Sequence, residues 1–445
     1  MFIGTLAQAQ VKKWTLQECV DYALKNNISI QLTNLDNKTA AIEKTAAVGG
    51  FLPIVNANAS HSWNIGLNQN ITTGLLENQT TQFTSAGLNA NVPIYSGLQN
   101  INRLRRANLS ILAAQFQLSK MKDDISLNVA NAFLQILFNK ENLKVQKELL
   151  ANDNKQFTRT DELVKAGVLP RGDLLDVTAT VASDKQKVVA AENILFLSKL
   201  SLAQLLQLDD FQNFDTAEAN YEAKQSATML ESSENIIAKA KQDRVELKIA
   251  KANLDIAQKD ISIAKGAYQP SLTGFYSFST RASNSGRITG VDGMGNPILS
   301  NPLPLFDQFS NNKGHNFGVQ LNIPILNGFT VKNNVDRSKI AYERTQIASK
   351  QAELDIERNV FTAITDAKGA INAYEAAVTA LEARTEALNY AKEKYDVGLM
   401  NSFDFNQAQT LYANAQSEVL RTKYDSIFKV KVVEFYFGIP ITANN

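Results

Sequence analysis

His61, His315 and Cys19 are the only imidazoles and the only thiol in the sequence. A zinc centre needs several such ligands converging and a disulfide needs a second cysteine, so neither is expected, and no cofactor is implied. Both histidines fall in segments that read as strands. They are expected on opposite sides of the alternation, which argues against a shared metal site. The stretch Gly290-Val-Asp-Gly293-Met-Gly295-Asn-Pro297 looks like a phosphate loop only superficially, because no buried strand precedes it and no helix follows it. It reads as an exposed loop. The carboxylates that stand out are Asp173 and Asp404, each six residues past a glycine (Gly167 and Gly398), with Asp176 three further on in the first case. An Asp that follows a turn and opens a helix is expected to cap it. Like carboxylates converging at a narrow neck would also favour cations and repel anions, less so as salt rises.

What must position these groups is unusual. The chain has 445 residues, a formal charge of +1 from 45 basic and 44 acidic residues, and a mean hydropathy of -0.20. The charge balance excludes the basic footprint of a nucleic-acid binder. No stretch is expected to reach the 18 or more nearly continuous apolar residues of a spanning helix, so a membrane role falls to strands or a surface helix. Residues 1–9 end in Ala7-Gln-Ala9, which reads as the remnant of an export signal. Cys19 does not sit in a lipoprotein cleavage context and is expected to pack as a small hydrophobe in the first helix.

Glycine and proline are spread very unevenly. Neither occurs from 98 to 166 or from 173 to 265, and only Gly369 interrupts 329 to 397. Such segments predict very long helices, because an ordinary helix runs only about 11 or 12 residues. Leu104, Ile111, Leu118 and Ile125 recur every seven residues, with Ala107, Ala114 and Met121 three after the first three. That period is the seam of a left-handed coiled coil, and its alanines permit close helix approach.

The two halves repeat. Asn91-Val-Pro93-Ile-Tyr-Ser-Gly97 matches Asn322-Ile-Pro324-Ile-Leu-Asn-Gly328 at an offset of 231 (324 − 93), and Gly167 with Asp173 matches Gly398 with Asp404 at the same offset. Gly50-Phe-Leu-Pro53 resembles Gly266-Ala-Tyr-Gln-Pro270 at 217 (270 − 53). The expected organisation is a first repeat over 10–208, with a helix, strands near 53–65 and 83–95, a long helix at 98–166 and a helix at 173–208. An acidic linker follows at 209–230, with Glu218 and Glu222. The second repeat spans 231–445, with strands near 270–280 and 315–326 and helices at 329–397 and 404–437.

Residues 55 to 65 alternate, with Val55, Ala57, Ala59, His61, Trp63 and Ile65 on one face and uncharged Asn and Ser on the other. Leu88 to Ile94 and Phe317 to Ile325 alternate in the same way. An uncharged polar face suits a water-filled lumen, and about ten residues suit a tilted bilayer crossing. Trp63, Tyr95, Tyr268 and Phe329 lie near strand ends, as interfacial aromatics do. Two hairpins on a soluble core would also alternate. Four strands, however, cannot close a barrel and lipid tolerates no open edge, so a membrane version requires several chains to share one barrel. The rival is a soluble or surface coiled-coil scaffold without channel activity.

With these residues in hand, the sequence resembles the TolC-like outer-membrane efflux channel family from Thr15 to Pro440. The resemblance rests on Thr15-Leu16 with Glu18, Ala23-Leu24 and Asn26-Asn27, on Leu52-Pro53 and Gln269-Pro270, on Val397-Gly398-Leu399, and on Arg244-Val-Glu246-Leu247, where Val245 replaces the usual Pro. It implies a mainly α fold with a β-barrel contribution: very long antiparallel coiled-coil helices plus four membrane strands per protomer. A homotrimer would form a 12-stranded barrel in the outer-membrane lipid of a Gram-negative bacterium, with a periplasmic helical tunnel. The implied role is a passive, non-enzymatic exit duct of a tripartite efflux pump or type I secretion system, docked to a periplasmic adaptor and an inner-membrane pump. The adaptor-docking turns would be Ala166-Gly167-Val168 and Val397-Gly398-Leu399. Pro53, Pro93, Gly97, Pro270, Pro324 and Gly328 would mark strand and helix junctions. Asp404, Asp173 and Asp176 are the candidate tunnel constriction, with Gln407 standing where relatives often carry a second carboxylate.

Overall fold

The computed structural model describes residues 13–69, 74–218, 226–295 and 297–442. Residues 1–9 and Glu222 therefore lie outside the described residues. In chain order the elements are β1 (Lys13–Trp14), α1 (Leu16–Asn26), α2 (Ile28–Gly49), β2 (Ile54–Gln69), β3 (Leu76–Ser96), α3 (Gln99–Lys165), α4 (Arg171–Leu206) and β4 (Asp215–Thr216). A single 3-10 turn, Ala227–Leu230, leads to α5 (Ser233–Asp243) and α6 (Val245–Gly266). Then come β5 (Ser271–Ser283), β6 (Arg287–Val291), β7 (Pro297–Ser300), α7 (Leu305–Asn311), β8 (Gly314–Asn322), α8 (Thr330–Asp396) and α9 (Ser402–Phe437).

The duplication holds to the residue in the helices. Both long helices have 67 residues and both return helices 36. At 1.5 Å per residue a 67-residue helix is about 100 Å long. Each opening helix of the expected 35 or so residues is instead broken once, at Asn27 and at Arg244, where ψ is 129° and 131°. The first piece starts with a full capping box, Glu18 N–H on Thr15 Oγ1 at 3.2 Å and Thr15 N–H on Glu18 Oε2 at 2.9 Å.

The chain divides into two compact units, with α2, α3, α6 and α8 contributing to both. The helical unit comprises 13–38, 113–251 and 347–442 among the described residues. It has two apolar cores. One gathers Cys19, Val20, Ile125, Val129, Phe133, Ile136, Leu202 and Leu206, and the other Ile236, Ile356, Val360, Ala363, Ala367 and Val433. The steps of four and three (125, 129, 133, 136; 356, 360, 363, 367) are the coiled-coil period in place. Phe214 seals the first core beside the parallel pair β1 and β4, where Lys140 and Lys199 both reach Asp215, at 2.7 and 2.8 Å. Burial pushes the Asp215 carboxyl up. The two ammonium groups outweigh that and hold it below the usual carboxylate range.

One helix exceeds the expectation from hydropathy. An 18-residue window of α4 reaches a mean hydropathy of 1.3, yet only 22% of it is buried. Leu175, Val189, Ile194, Phe196 and Leu197 stand exposed along it. Its apolar outer face is thus left bare by the described residues.

The strand unit comprises 39–112 and 252–346. Its main sheet is antiparallel in the order β2-β3-β5-β8. All helix connections join one end of this sheet, and the hairpin connections lie at the other. β2 and β3 run past the expected 65 and begin before the expected 83, because polar residues such as Asn78 and Thr80 extend the pairing without alternating. β8 stops at Asn322, short of the expected 326, because Pro324 has no N–H to donate. Pro93, its counterpart, is tolerated at a register shift.

Candidate channel walls and tip turns

The register gives the sheet two unlike faces. On one, Ala57, Leu88, Phe278 and His315 form a row, Val55, Ala90, Tyr276 and Phe317 the next, and Val92, Gly274 and Val319 a third. On the other, Ser60 and Ser85 hydrogen-bond at 2.8 Å, and Asn58, Asn89 and Ser277 form a ladder at 3.2 and 2.8 Å. The first face is apolar, the second polar and almost free of charge. Ile65 is 82% and Phe317 77% exposed, so among the described residues most of the apolar face is bare. His61 and His315 both lie on it, not on opposite sides as expected, since cross-strand partners share a face. They stand at opposite edges of the sheet, and each meets a hydroxyl: Thr84 Oγ1 at 2.8 Å and Tyr276 OH at 3.0 Å. Among the described residues no group of three or more His, Cys, Asp or Glu is placed to hold a metal.

At the helix end of the sheet, Gly97 (φ +60°) and Gly266 lie backbone to backbone. A Cβ on Gly97 would sit 2.1 Å from Gly266 O, and one on Gly266 2.4 Å from Gly97 O. Their repeat counterparts, Gly328 (φ +58°) and Gly49, face open space. Pro53 and Pro270 are exposed just before β2 and β5.

The two far turns belong to the helical unit. α3 ends with Val168 N–H on Leu163 O at 2.9 Å and Gly167 at φ +73°, and α8 ends with Leu399 N–H on Lys394 O at 2.8 Å and Gly398 at φ +78°. Both are left-handed helix endings of the Schellman kind, a conformation glycine adopts at no steric cost. Ala166 and Gly167 are exposed, as are Val168 (67%), Val397 (70%) and Leu399 (80%), so each turn offers a bare apolar pair.

The carboxylates sit differently from the expected cap. α4 and α9 begin two residues earlier than the expected 173 and 404, so Pro170 and Asn401 occupy the cap position and both aspartates fall in the first turn. Asn401 Oδ1 accepts the Asp404 N–H at 2.8 Å, whereas Pro170 offers no side-chain bond. Asp404 is exposed, Asp173 half-buried, and Asp176 exposed one turn deeper. A carboxylate in a first turn meets the positive end of the helix dipole.

Behind the turns lies a cluster that the sequence did not reveal. Arg159 of α3 pairs with Asp396 of α8 at 2.6 Å and lies over the Tyr395 ring at 5.5 Å. Tyr395 stacks on Phe405 of α9 at 4.7 Å and accepts a hydrogen bond from Gln156. Deeper still, Asp153 of α3 hydrogen-bonds Asp184 of α4, which also holds Lys187 at 2.7 Å. Both aspartates are almost fully buried. Burial and the neighbouring carboxylate push Asp153 up to about 8. Asp153 thus keeps its proton near neutral pH, with the Lys187 ammonium on the Asp184 side of the pair. Only spacing connects these partners, and no local motif marks them.

A family model described as "Outer membrane efflux protein" matches residues 19–207 and 236–427, one segment in each repeat. The chain is similar to "Outer membrane protein TolC" of Vibrio cholerae, 24% identical over 441 residues, covering 96% of this chain and 91% of that one. It is also similar to "Pyoverdine export outer membrane protein OpmQ" of Pseudomonas aeruginosa, at 22% identity over 72% of this chain and 61% of the relative. Among solved structures, VceC from Vibrio cholerae superposes with a TM-score of 0.77 at 15% identity, covering 96% of both chains. The CmeC outer membrane channel of Campylobacter jejuni does so with 0.75 at 19%, covering 96% of this chain and 87% of that one. The two-faced sheet and the paired long helices are thus those of an outer-membrane channel, and the chain belongs to the outer membrane efflux protein family.

Proposed function

We propose that three copies of this chain share one 12-stranded barrel and one helical tunnel, forming a passive exit duct across periplasm and outer membrane. The helices occupy the periplasm. The turns at 166–168 and 397–399 receive a periplasmic adaptor, an inner-membrane pump supplies the energy, and the duct performs no chemistry of its own. The observation that carries this reading is the sheet: apolar on one face, polar on the other, and open at both edges. A bare edge in lipid leaves backbone groups unpaired, which costs several kcal/mol for each by the usual order of magnitude. A coiled-coil scaffold gives the apolar face and the edges no purpose.

The duplication supports a definite seam. Moving the β3–β5 register by the two repeat offsets sets β8 against β2 of the next copy, with Phe317 opposite the partner's Trp63 and Val319 opposite the partner's His61. Apolar faces then coincide. The same shift brings Gly328 against the partner's Gly49, which explains two glycines that face open space in the protomer. The chain carrying Trp63→Cys and Phe317→Cys, oxidised in outer membranes, should give a covalent ladder ending at three chains. Trp63→Cys with Leu321→Cys should give far less. A monomer under both conditions would overturn the shared barrel.

At the tip, Asp404→Ala should raise single-channel conductance and lower cation preference, by removing three carboxylates from the neck. Unchanged currents would assign Asp404 to the helix dipole alone.

A further inference from the structure

The connection between β5 and β8 is long and holds a small helix, α7, whose place is well defined. Gln308 clamps it to the end of β5, accepting from Ser283 N–H at 2.9 Å and donating to Ser283 O at 3.0 Å and Leu303 O at 2.7 Å. Thr280 Oγ1 donates to Phe309 O at 2.8 Å, and Asn312 Nδ2 to Arg281 O at 2.7 Å. The burial pattern tells which side of the sheet it covers. Thr280 and Ala282 are buried while Ser279 and Arg281 between and beside them are exposed. Thr280 and Ala282 share a face with Tyr276 and Phe278, so α7 lies on the apolar face. Gln308 and Phe309 turn inward. Leu305 and Phe306 point away, and Phe306 is 79% exposed.

We propose that α7 is an outer-leaflet anchor, resting on the barrel's outside wall and placing Leu305 and Phe306 among the acyl chains of the surrounding lipid. This rests on the reading that the helices lie in the periplasm, which puts the hairpin connections at the cell-exterior end. Continuity with the lipid-facing band commits the occupant to lipid. α7 covers Ala282, at the β5 end of the row that runs through Thr84 to His61, and the exposed His61 ring lies edge-on to Trp63 at 4.3 Å, an aromatic pair of the kind found at a membrane boundary. The polar residues Asp307, Ser310 and Asn311 of α7 suit the headgroup level just above.

The test attaches a nitroxide to Phe306→Cys in the full chain, reconstituted in phosphatidylethanolamine and phosphatidylglycerol vesicles. Unsubstituted protein serves as the blank, since Cys19 is buried. Collision with oxygen should exceed collision with a water-soluble nickel chelate, the reverse of the order at Met294→Cys in the β6–β7 turn. Equal access to both reagents at the two positions would place α7 in water and overturn the proposal. Low access to both would mean that protein covers it, which also overturns it. Phe317→Cys separates the two readings: if its label is in lipid and that of Phe306→Cys is not, the anchor fails alone. If neither is, the membrane reading fails as well.

Discussion

Where the opening helix breaks, the first repeat has Asn27 and the second, 217 residues on, has Arg244. Asn27 caps the next piece through Ser29 N–H at 2.9 Å and ties it to Leu205 O at 2.9 Å. Arg244 does the same work with charge. It grips Glu246 at 2.9 Å, approaches Asp123 at 3.7 Å and lies over the Phe435 ring at 4.2 Å, almost wholly buried. Further pairs diverge likewise. Ala203 corresponds to buried Glu434, which accepts from Ser226 at 2.5 Å, and the buried acids Asp153 and Asp184 correspond to Arg384 and Ala415. Element lengths are kept while buried chemistry changes. The backbone geometry must therefore be set by helix length, seam and turns, leaving individual polar clusters free to specialise.

The glycine junctions sharpen that contrast most. Gly97→Ala should abolish folded protein, because its Cβ meets a carbonyl at 2.1 Å on top of about 1 to 3 kcal/mol of left-handed strain. Gly328→Ala carries the same left-handed strain (φ +58°) but its Cβ meets nothing within 4 Å, so it should leave helical content near normal and lose the proposed trimer, as gel mobility and circular dichroism would show together. Equal loss of folding in both would break the comparison.

Next in size is the acid pair. The folded Asp153 titrates at about 8 against an unfolded value near 3.8, so the native state holds its proton more tightly. Stability should be greatest below pH 4, fall as pH rises toward 8 and then level off, by at most about 6 kcal/mol in all. Melting midpoints from pH 5 to 9 should show that slope, and Asp153→Asn should flatten it. Arg384→Gln, at the matching position, should leave it in place.

The smallest effect lies at the turns. Asn401→Ala should cost about 1 kcal/mol through loss of a helix cap, while Pro170→Ala removes no such bond. Limited proteolysis should accordingly speed at the second turn and not at the first.

Much of this was legible in the sequence. The gaps between glycines and prolines bounded the two long and two return helices to within two residues, and the offsets of 231 and 217 carried over to every helix but α7. Strand faces followed from alternation. What stayed hidden depends on distance in sequence or on weak local signals. Asp153 and Asp184 each look like solvated surface acids until two helices bring them together. The Asn- and Ser-rich segment containing α7 has no period to read. The cap positions were misplaced because Pro170 and Asn401 start their helices earlier than the aspartates suggest.

The matched lengths of α3 with α8 and of α4 with α9 carry a constraint on how such a duct can vary in reach. One inserted residue turns everything beyond it by about 100° and takes the seam off its partner. Seven restore the face, yet in a single helix they leave one tip standing a full two turns above the other. Only a heptad added to all four helices at once gives a longer working molecule. Reach is thus quantised, in steps of about 10 Å, and under the proposed function the duct and the adaptor that meets it must change by whole steps or not at all.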